Sequence, residues 1–143
     1  MLWRMSTQST RIDAPAEWKS KLTGISSGFL LYETVTGLAI MLLPFSPFNQ
    51  FNVLLHTILG IAMIVPVIWY CIRHWLVRRK GNLSHYQLLG YISVALLLAC
   101  IVSGVVLTWQ GIFGPAIGAT WDTVHLVTGF AMAVFIIIHL VSI

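Results

Sequence analysis

Residues 120–143 read TWDTVHLVTGFAMAVFIIIHLVSI, and this stretch indicates how the chain folds. It contains one acid and no lysine or arginine. It also exceeds the roughly 20 residues that a helix rising about 1.5 Å per residue needs to cross a hydrocarbon core of about 30 Å. We therefore predict a membrane-spanning helix. Within it, His125 and His139 stand 14 residues apart, a little under four turns, so both lie on one face.

Three other apolar stretches have a similar length, and the predicted spans are residues 26–43, 51–76, 86–110 and 120–143. Hydrophobic residues make up 58% of the chain and charged residues 8%, which excludes an ordinary soluble domain. The short alternating strands of a β-barrel are not seen in the sequence. Short connections predict an all-α, up-down-up-down transmembrane four-helix bundle.

The bundle is predicted to occupy residues 24–143, after a polar segment at residues 1–23. This segment lacks the short apolar core of a signal peptide. We expect it to lie on the cytoplasmic side or at the interface, where Trp3 and Trp18 would be favourable. The chain ends at Ile143 without the basic flank expected at a cytoplasmic helix end, which suggests a polypeptide that continues.

Basic residues indicate the orientation. They precede the first span and close the second: Arg4, Arg11, Lys19, Lys21, Arg73, Arg78, Arg79 and Lys80. Loops 44–50 and 111–119 carry no charge. The positive-inside rule then places both termini and loop 78–84 of this multi-pass protein in the cytoplasm. We expect it in an inner (cytoplasmic) or other energy-transducing membrane. Because these basic residues flank spans, nucleic acid is not an expected partner.

A second pair of histidines lies on the second span. His56 and His74 are 18 residues apart, or five helical turns, and share a face. His56 and His125 each lie about five residues inside their spans, at a depth where one imidazole from each helix could hold a flat macrocycle. His74 and His139 would do the same near the cytoplasmic side. Their depths differ by about 6 Å, which a kink at Pro66 would reduce.

Glycines occur at matching levels. Gly60 and Gly129 each follow a histidine by four residues, and further glycines are paired within the first and third spans: Gly24 and Gly37, Gly90 and Gly104. Glycine admits close approach of a bulky ligand, although it also serves ordinary helix packing in membranes. The coincidence with histidines favours a ligand. Gly24, Gly37 and His56 are echoed by Gly90, Gly104 and His125, a faint internal repeat that suggests two related hairpins.

This arrangement resembles the di-haem four-helix core of the cytochrome b superfamily of quinone-linked membrane cytochromes, over about residues 24–143. The resemblance implies two noncovalent haem b groups, whose irons are ligated by His56, His74, His125 and His139. It also implies cofactor contacts at Gly37, Gly60, Gly90, Gly104 and Gly129. The 14-residue spacing of the family's histidine pairs is matched by His125 and His139. On the second span that position is Tyr70, which departs from the best-known respiratory and photosynthetic branch and leaves His85 as an alternative to His74.

By this resemblance, the chain carries electrons across the membrane between a quinone pool and a redox partner. Candidate quinone-site residues are Glu33, Trp109, Gln110 and Asp122. Glu33 would relay protons or be a neutral acid bonded to a neighbouring helix. Arg73 would bind a haem propionate or extend to lipid headgroups. Flavin, molybdenum, iron–sulfur and CxxCH signatures are not found in the sequence, so other substrate chemistry would reside in protein partners of an oxidoreductase complex.

Two other classes of protein fit some of these features. A haem-free anchor or assembly subunit would use its histidines for hydrogen bonds across the bundle, but it does not require them to be paired by depth. A small transporter with a proton or metal path predicts more carboxylates or broken helices. Cys71 and Cys100 lie in spans and do not form a CxxC pair, so we expect structural roles for both.

Overall fold

The computed structural model describes residues 21–79 and 84–141. These residues form four α-helices: α1 Lys21–Leu42, α2 Pro47–Arg78, α3 His85–Phe113 and α4 Ala119–Val141. All four are long and apolar enough to cross a membrane. No strand occurs within the described residues. The predicted all-α fold with four membrane-length helices is therefore confirmed.

The helices extend beyond several predicted ends. α1 begins at Lys21, inside the segment assigned to residues 1–23, and α3 continues to Phe113. Ser84 begins α3 with a capping box, in which its hydroxyl accepts from the Gln87 amide while the Gln87 side chain accepts from the Ser84 amide. Trp3, Trp18 and Lys80 lie outside the described residues, as do residues 142–143.

Hydrogen bonds made by side chains order the connection between α1 and α2. Ser46 is extended and its hydroxyl accepts a bond from the Asn49 amide at 3.2 Å. Pro47 occupies the first turn of α2, where a backbone N–H is not needed. The buried Asn49 side chain donates to the carbonyls of Ile40 and Leu43 at 3.3 and 3.1 Å. Without Asn49, these carbonyls at the end of α1 would lack hydrogen-bond partners. This connection sets the position of α1 against α2.

Apolar residues cover the outside of the helices, and the buried apolar core is small. Within the described residues it consists of Val67, Leu97 and Met132. Several buried side chains are instead hydroxyls, such as Ser103 and Thr36. Lipid tails are as apolar as these outer faces, so close packing and hydrogen bonding, rather than exclusion of water, hold such helices together.

The helices associate in two pairs. α1 packs along α2, which we call the first helix pair, and α3 packs along α4, the second helix pair. The two pairs meet through sparser contacts between α2 and α3 and between α1 and α4. Side chains that project between the pairs can therefore approach one another without the backbones being in close contact.

Candidate functional site

The rings of His56 on α2 and His125 on α4 meet between the two helix pairs. Their centroids lie 6.2 Å apart, and their planes are inclined at 81° in a T-shaped arrangement. Sequence spacing places these residues at the same depth, and the structure brings their rings together. One ring comes from each helix pair, so the site depends on both.

Hydrogen bonds to Nδ1 orient the His56 ring. Glu33 Oε2 lies 2.8 Å from this nitrogen and Thr36 Oγ1 lies 2.9 Å from it. The Thr36 hydroxyl donates its own proton to the Tyr32 carbonyl at 2.8 Å, so its oxygen accepts from His56. Both contacts therefore place the proton on Nδ1 and leave the Nε2 lone pair available to a ligand. Asn52 of α2 donates to the Thr36 carbonyl at 3.1 Å and ties this arrangement together.

The His125 ring is oriented in the same way by neutral groups of α3. Its Nδ1 lies 3.0 Å from the Cys100 carbonyl oxygen and 3.2 Å from Ser103 Oγ. Since a carbonyl only accepts, the proton is again on Nδ1. The Ser103 hydroxyl donates to the Ala99 carbonyl at 2.8 Å. In both rings, the hydrogen bonds made by the described residues use Nδ1, and both Nε2 atoms stay available.

The two helix pairs repeat this set of residues. On α1 and α3 the equivalents are 67 positions apart, as from 33 to 100: Glu33 and Cys100, Thr36 and Ser103, Gly37 and Gly104. On α2 and α4 they are 69 positions apart, as from 56 to 125: His56 and His125, Gly60 and Gly129. The internal repeat seen in the sequence thus corresponds to equivalent contacts in the two pairs.

The structure changes one pair of equivalent residues in the predicted repeat. Gly24 was matched to Gly90 at a separation of 66, but a separation of 67 makes Thr23 the equivalent of Gly90. Among the described residues, nothing lies within 4 Å of a Cβ added at Gly24. Gly24 therefore faces away from the histidines, because one residue turns a helix by about 100°.

The five glycines predicted to contact a cofactor border side chains of the site. The nearest atoms to an added Cβ are His56 Cε1 at Gly37 (3.4 Å), His125 Cε1 at Gly104 (3.0 Å), His139 Cε1 at Gly90 (3.4 Å), Glu33 Oε2 at Gly60 (3.5 Å) and Cys100 Sγ at Gly129 (3.4 Å). Three glycines thus lie against an imidazole, and two lie against the equivalent side chains Glu33 and Cys100.

Gly104→Ala is expected to displace the His125 ring and lower the melting temperature, because the new methyl group would lie 3.0 Å from Cε1. Overpacking of this kind costs about 1–3 kcal/mol. Gly111→Ala on the same helix is the matched control, since an added Cβ there meets nothing within 4 Å among the described residues. Thermal unfolding in detergent gives the melting temperature of each variant. Equal melting temperatures for the two variants would contradict the close contact.

A second pair of rings is formed by His74 on α2 and His139 on α4. Their centroids lie 6.5 Å apart, with the planes at 86°. Tyr70, the position equivalent to His139 in the repeat, stacks on His74 with centroids 5.8 Å apart. The structure thus brings His74 to His139 although the spacing on α2 is one turn longer. Pro66 lies inside α2, where it removes a backbone hydrogen bond between the two levels.

The remaining predicted residues lie elsewhere. His85 is exposed at the first position of α3, and Arg73 is exposed on α2. Cys71 and Cys100 are free thiols, both half-buried. His74, rather than His85, is thus the histidine brought to His139.

Three candidate residues of the quinone site occur where α3 ends and α4 begins. The exposed Trp109 ring packs on Phe113 with centroids 4.5 Å apart. Gln110 Oε1 accepts from the Gly118 amide at 2.9 Å, which orders the connection. Asp122 is exposed in the first turn of α4, where a carboxylate is favoured by the helix dipole. The fourth candidate, Glu33, lies apart from them on α1 against His56.

The roles of Thr36 and Ser103 were not predicted from the sequence. Glu33 was predicted as a quinone-site candidate, either a proton relay or a neutral acid bonded to a neighbouring helix, and it does bond to a neighbouring helix, at His56. A signal for the hydroxyl groups is present, because each precedes a site glycine in the repeat, as Thr36-Gly37 and Ser103-Gly104. The contact between Glu33 and His56 has no such signal, since the equivalent residue in the other half is a cysteine.

Comparison with protein-family models, curated proteins and solved structures finds no match to this chain. Within the described residues, no group of three or more His, Cys, Asp or Glu side chains could hold a metal ion. The arrangement that the site offers is instead two separate pairs of imidazoles.

Proposed function

We propose that this protein is a di-haem b-type cytochrome that carries electrons across a membrane. The observation that carries the proposal is the pairing of histidines between the helix pairs, with ring separations of 6.2 Å for His56 and His125 and 6.5 Å for His74 and His139. The two rings of each pair are close enough that one iron could be bound between them.

The side chains present fit this group in two further respects. The Nδ1 atoms of His56 and His125 are held by acceptors, as is usual for metal-ligating histidines, and this fixes the tautomer in which Nε2 can bind iron. The edges of three histidine rings lie against glycines, where a Cβ would come within 3.4 Å of the ring.

His56 and His125 would hold one haem b, and His74 and His139 the other. Haem b supplies a one-electron change between ferric and ferrous iron. Two imidazoles for each iron would favour electron transfer over oxygen binding. The two levels on α4 are separated by about 21 Å, so an electron could cross the membrane by passing from one level to the other.

In the membrane, the helices would run up-down-up-down with both termini and the basic loop 78–84 in the cytoplasm. The distribution of lysine and arginine supports this orientation in an inner or other energy-transducing membrane. The His56 level would then lie towards the external side.

Electrons would be exchanged with a quinone pool and with a partner subunit of a redox complex. Trp109, Gln110 and Asp122 are grouped where α3 and α4 meet, at the end nearest His125, and this grouping supports a quinone site there. Glu33 is bonded to His56, so its contact supports a role at the iron ligand instead.

The protein purified from its native membrane is expected to show a reduced-minus-oxidised spectrum of haem b. Pyridine haemochrome quantification is expected to give two haems per chain, because there are two pairs of imidazoles. A well-folded native preparation without haem would overturn the proposal and favour a haem-free anchor or assembly subunit, whose histidines serve the hydrogen bonds described above.

A further inference from the structure

We propose that Glu33 lowers the midpoint potential of the centre held by His56 and His125, an inference that rests on the proposed function. Glu33 is a positioning residue, which would act on the iron through His56. The two ligands of this centre have different partners. His56 is bonded to a carboxylate, and His125 is bonded to a backbone carbonyl.

The carboxylate is held close to the ring and away from solvent. Glu33 Oε2 lies 2.8 Å from His56 Nδ1, and the two side chains are 18% and 21% exposed. Gly60 provides the space, because a Cβ there would lie 3.5 Å from Oε2. The other oxygen, Oε1, is buried and has no hydrogen-bond partner among the described residues. His56 is thus the main group that stabilises this carboxylate.

A carboxylate is not the only group that orients a histidine here. The equivalent His125 is oriented by the Cys100 carbonyl and Ser103, and His56 has the equivalent hydroxyl of Thr36 at 2.9 Å. A carboxyl group in a membrane span is costly. Its additional contribution is a negative charge on one side of one centre.

The expected effect follows from the charges. A carboxylate that accepts from Nδ1–H makes the imidazole a more basic ligand and favours the ferric state. Ferric iron in a porphyrin carries a net positive charge that Glu33 offsets, whereas one added electron neutralises the iron centre and leaves the carboxylate charge uncompensated in a medium of low dielectric constant. Reduction at this level is therefore made less favourable, and the level becomes a better electron donor.

Redox potentiometry of the haem-loaded Glu33→Gln variant tests this inference. Glutamine keeps an oxygen that accepts from His56 Nδ1 but removes the charge. We expect both haems to be retained, the midpoint potential of one centre to rise, and that of the other to stay at its wild-type value. Asp122→Asn removes the same charge from an exposed residue one turn from His125, and it is expected to shift the potential less.

An unchanged or lowered potential in Glu33→Gln, or an equal shift in Asp122→Asn, would overturn the inference. If Glu33→Gln does not retain haem, Glu33→Asp keeps the charge but withdraws it by one methylene. The Glu33→Asp variant should then also raise the midpoint potential, and a wild-type value would overturn the inference. Absence of haem in the wild-type protein would instead contradict the proposed function itself, so the two failures are distinguishable.

Discussion

Replacing His125 by alanine is expected to remove one of the two low-spin haem signals that the proposed function predicts for the purified protein, and to lower its haem content towards one per chain. Replacing His56 by alanine should remove the same signal, because the two rings lie 6.2 Å apart and would share one iron. The double variant should lose no more haem than either single variant, since both changes act on one site. Low-temperature EPR and pyridine haemochrome quantification measure both quantities.

His85→Ala is the matched control for this prediction. It removes a histidine from the start of α3, where the residue is exposed, and we expect it to retain both haems. If His56→Ala and His125→Ala removed different signals, and the double variant then contained no low-spin haem, the pairing of these two rings in one site would be wrong.

Replacing His74 by alanine is expected to remove the other low-spin signal and again to lower the haem content towards one per chain. The reason is the position of its ring, 6.5 Å from that of His139. The double variant of His74→Ala and His125→Ala should lose both signals. The two levels are about 21 Å apart along α4, so a change at one level acts independently of a change at the other. The same EPR and haemochrome measurements distinguish this additive loss from the non-additive loss at the first site.

Tyr70→Phe is the control at the second level, since it keeps an aromatic ring stacked on His74. Both haems are expected to remain in this variant. Retention of the second signal in His74→Ala, together with its loss in His85→Ala, would identify His85 as the ligand and would contradict the interpretation of α2.

The two halves of the internal repeat differ at two positions near the paired histidines. The halves repeat a hydroxyl, a glycine and a histidine, but they differ at Glu33 against Cys100 and at Tyr70 against His139. The first difference places a carboxyl group beside His56 only. The second goes with a shift of the other α2 histidine by one turn, to His74. Both differences lie beside the paired histidines, so the two pairs of rings have different surroundings.

Much of the fold could be predicted from the sequence because membrane spans are defined locally. A helix that crosses a bilayer must satisfy its own backbone hydrogen bonds and present apolar side chains along its length. The four spans could therefore be placed from composition alone. Their ends were less accurate, since α2 begins at Pro47 through the capping by Ser46 rather than at the first long apolar run.

The site was harder to predict, and the glycines show why. Gly104 and Gly24 look equally suitable in the sequence, yet one lies 3.0 Å from a histidine ring and the other faces open space among the described residues. A shift of one residue turns a side chain by about 100°, and the rotation of α1 depends on its packing against α2. The contact between Glu33 and His56 depends on the same rotation.

By itself, the sequence determined that four helices are long and apolar enough to span a membrane and that four of the five histidines fall at two levels along them, because apolarity and helical rise are properties of each segment alone. Only the tertiary structure decided which groups bond to Nδ1 of His56 and of His125, which glycines border which rings, and that His74 reaches His139 despite one extra turn. These features depend on how four helices rotate, tilt and pack against one another, which spacing along a single helix does not specify.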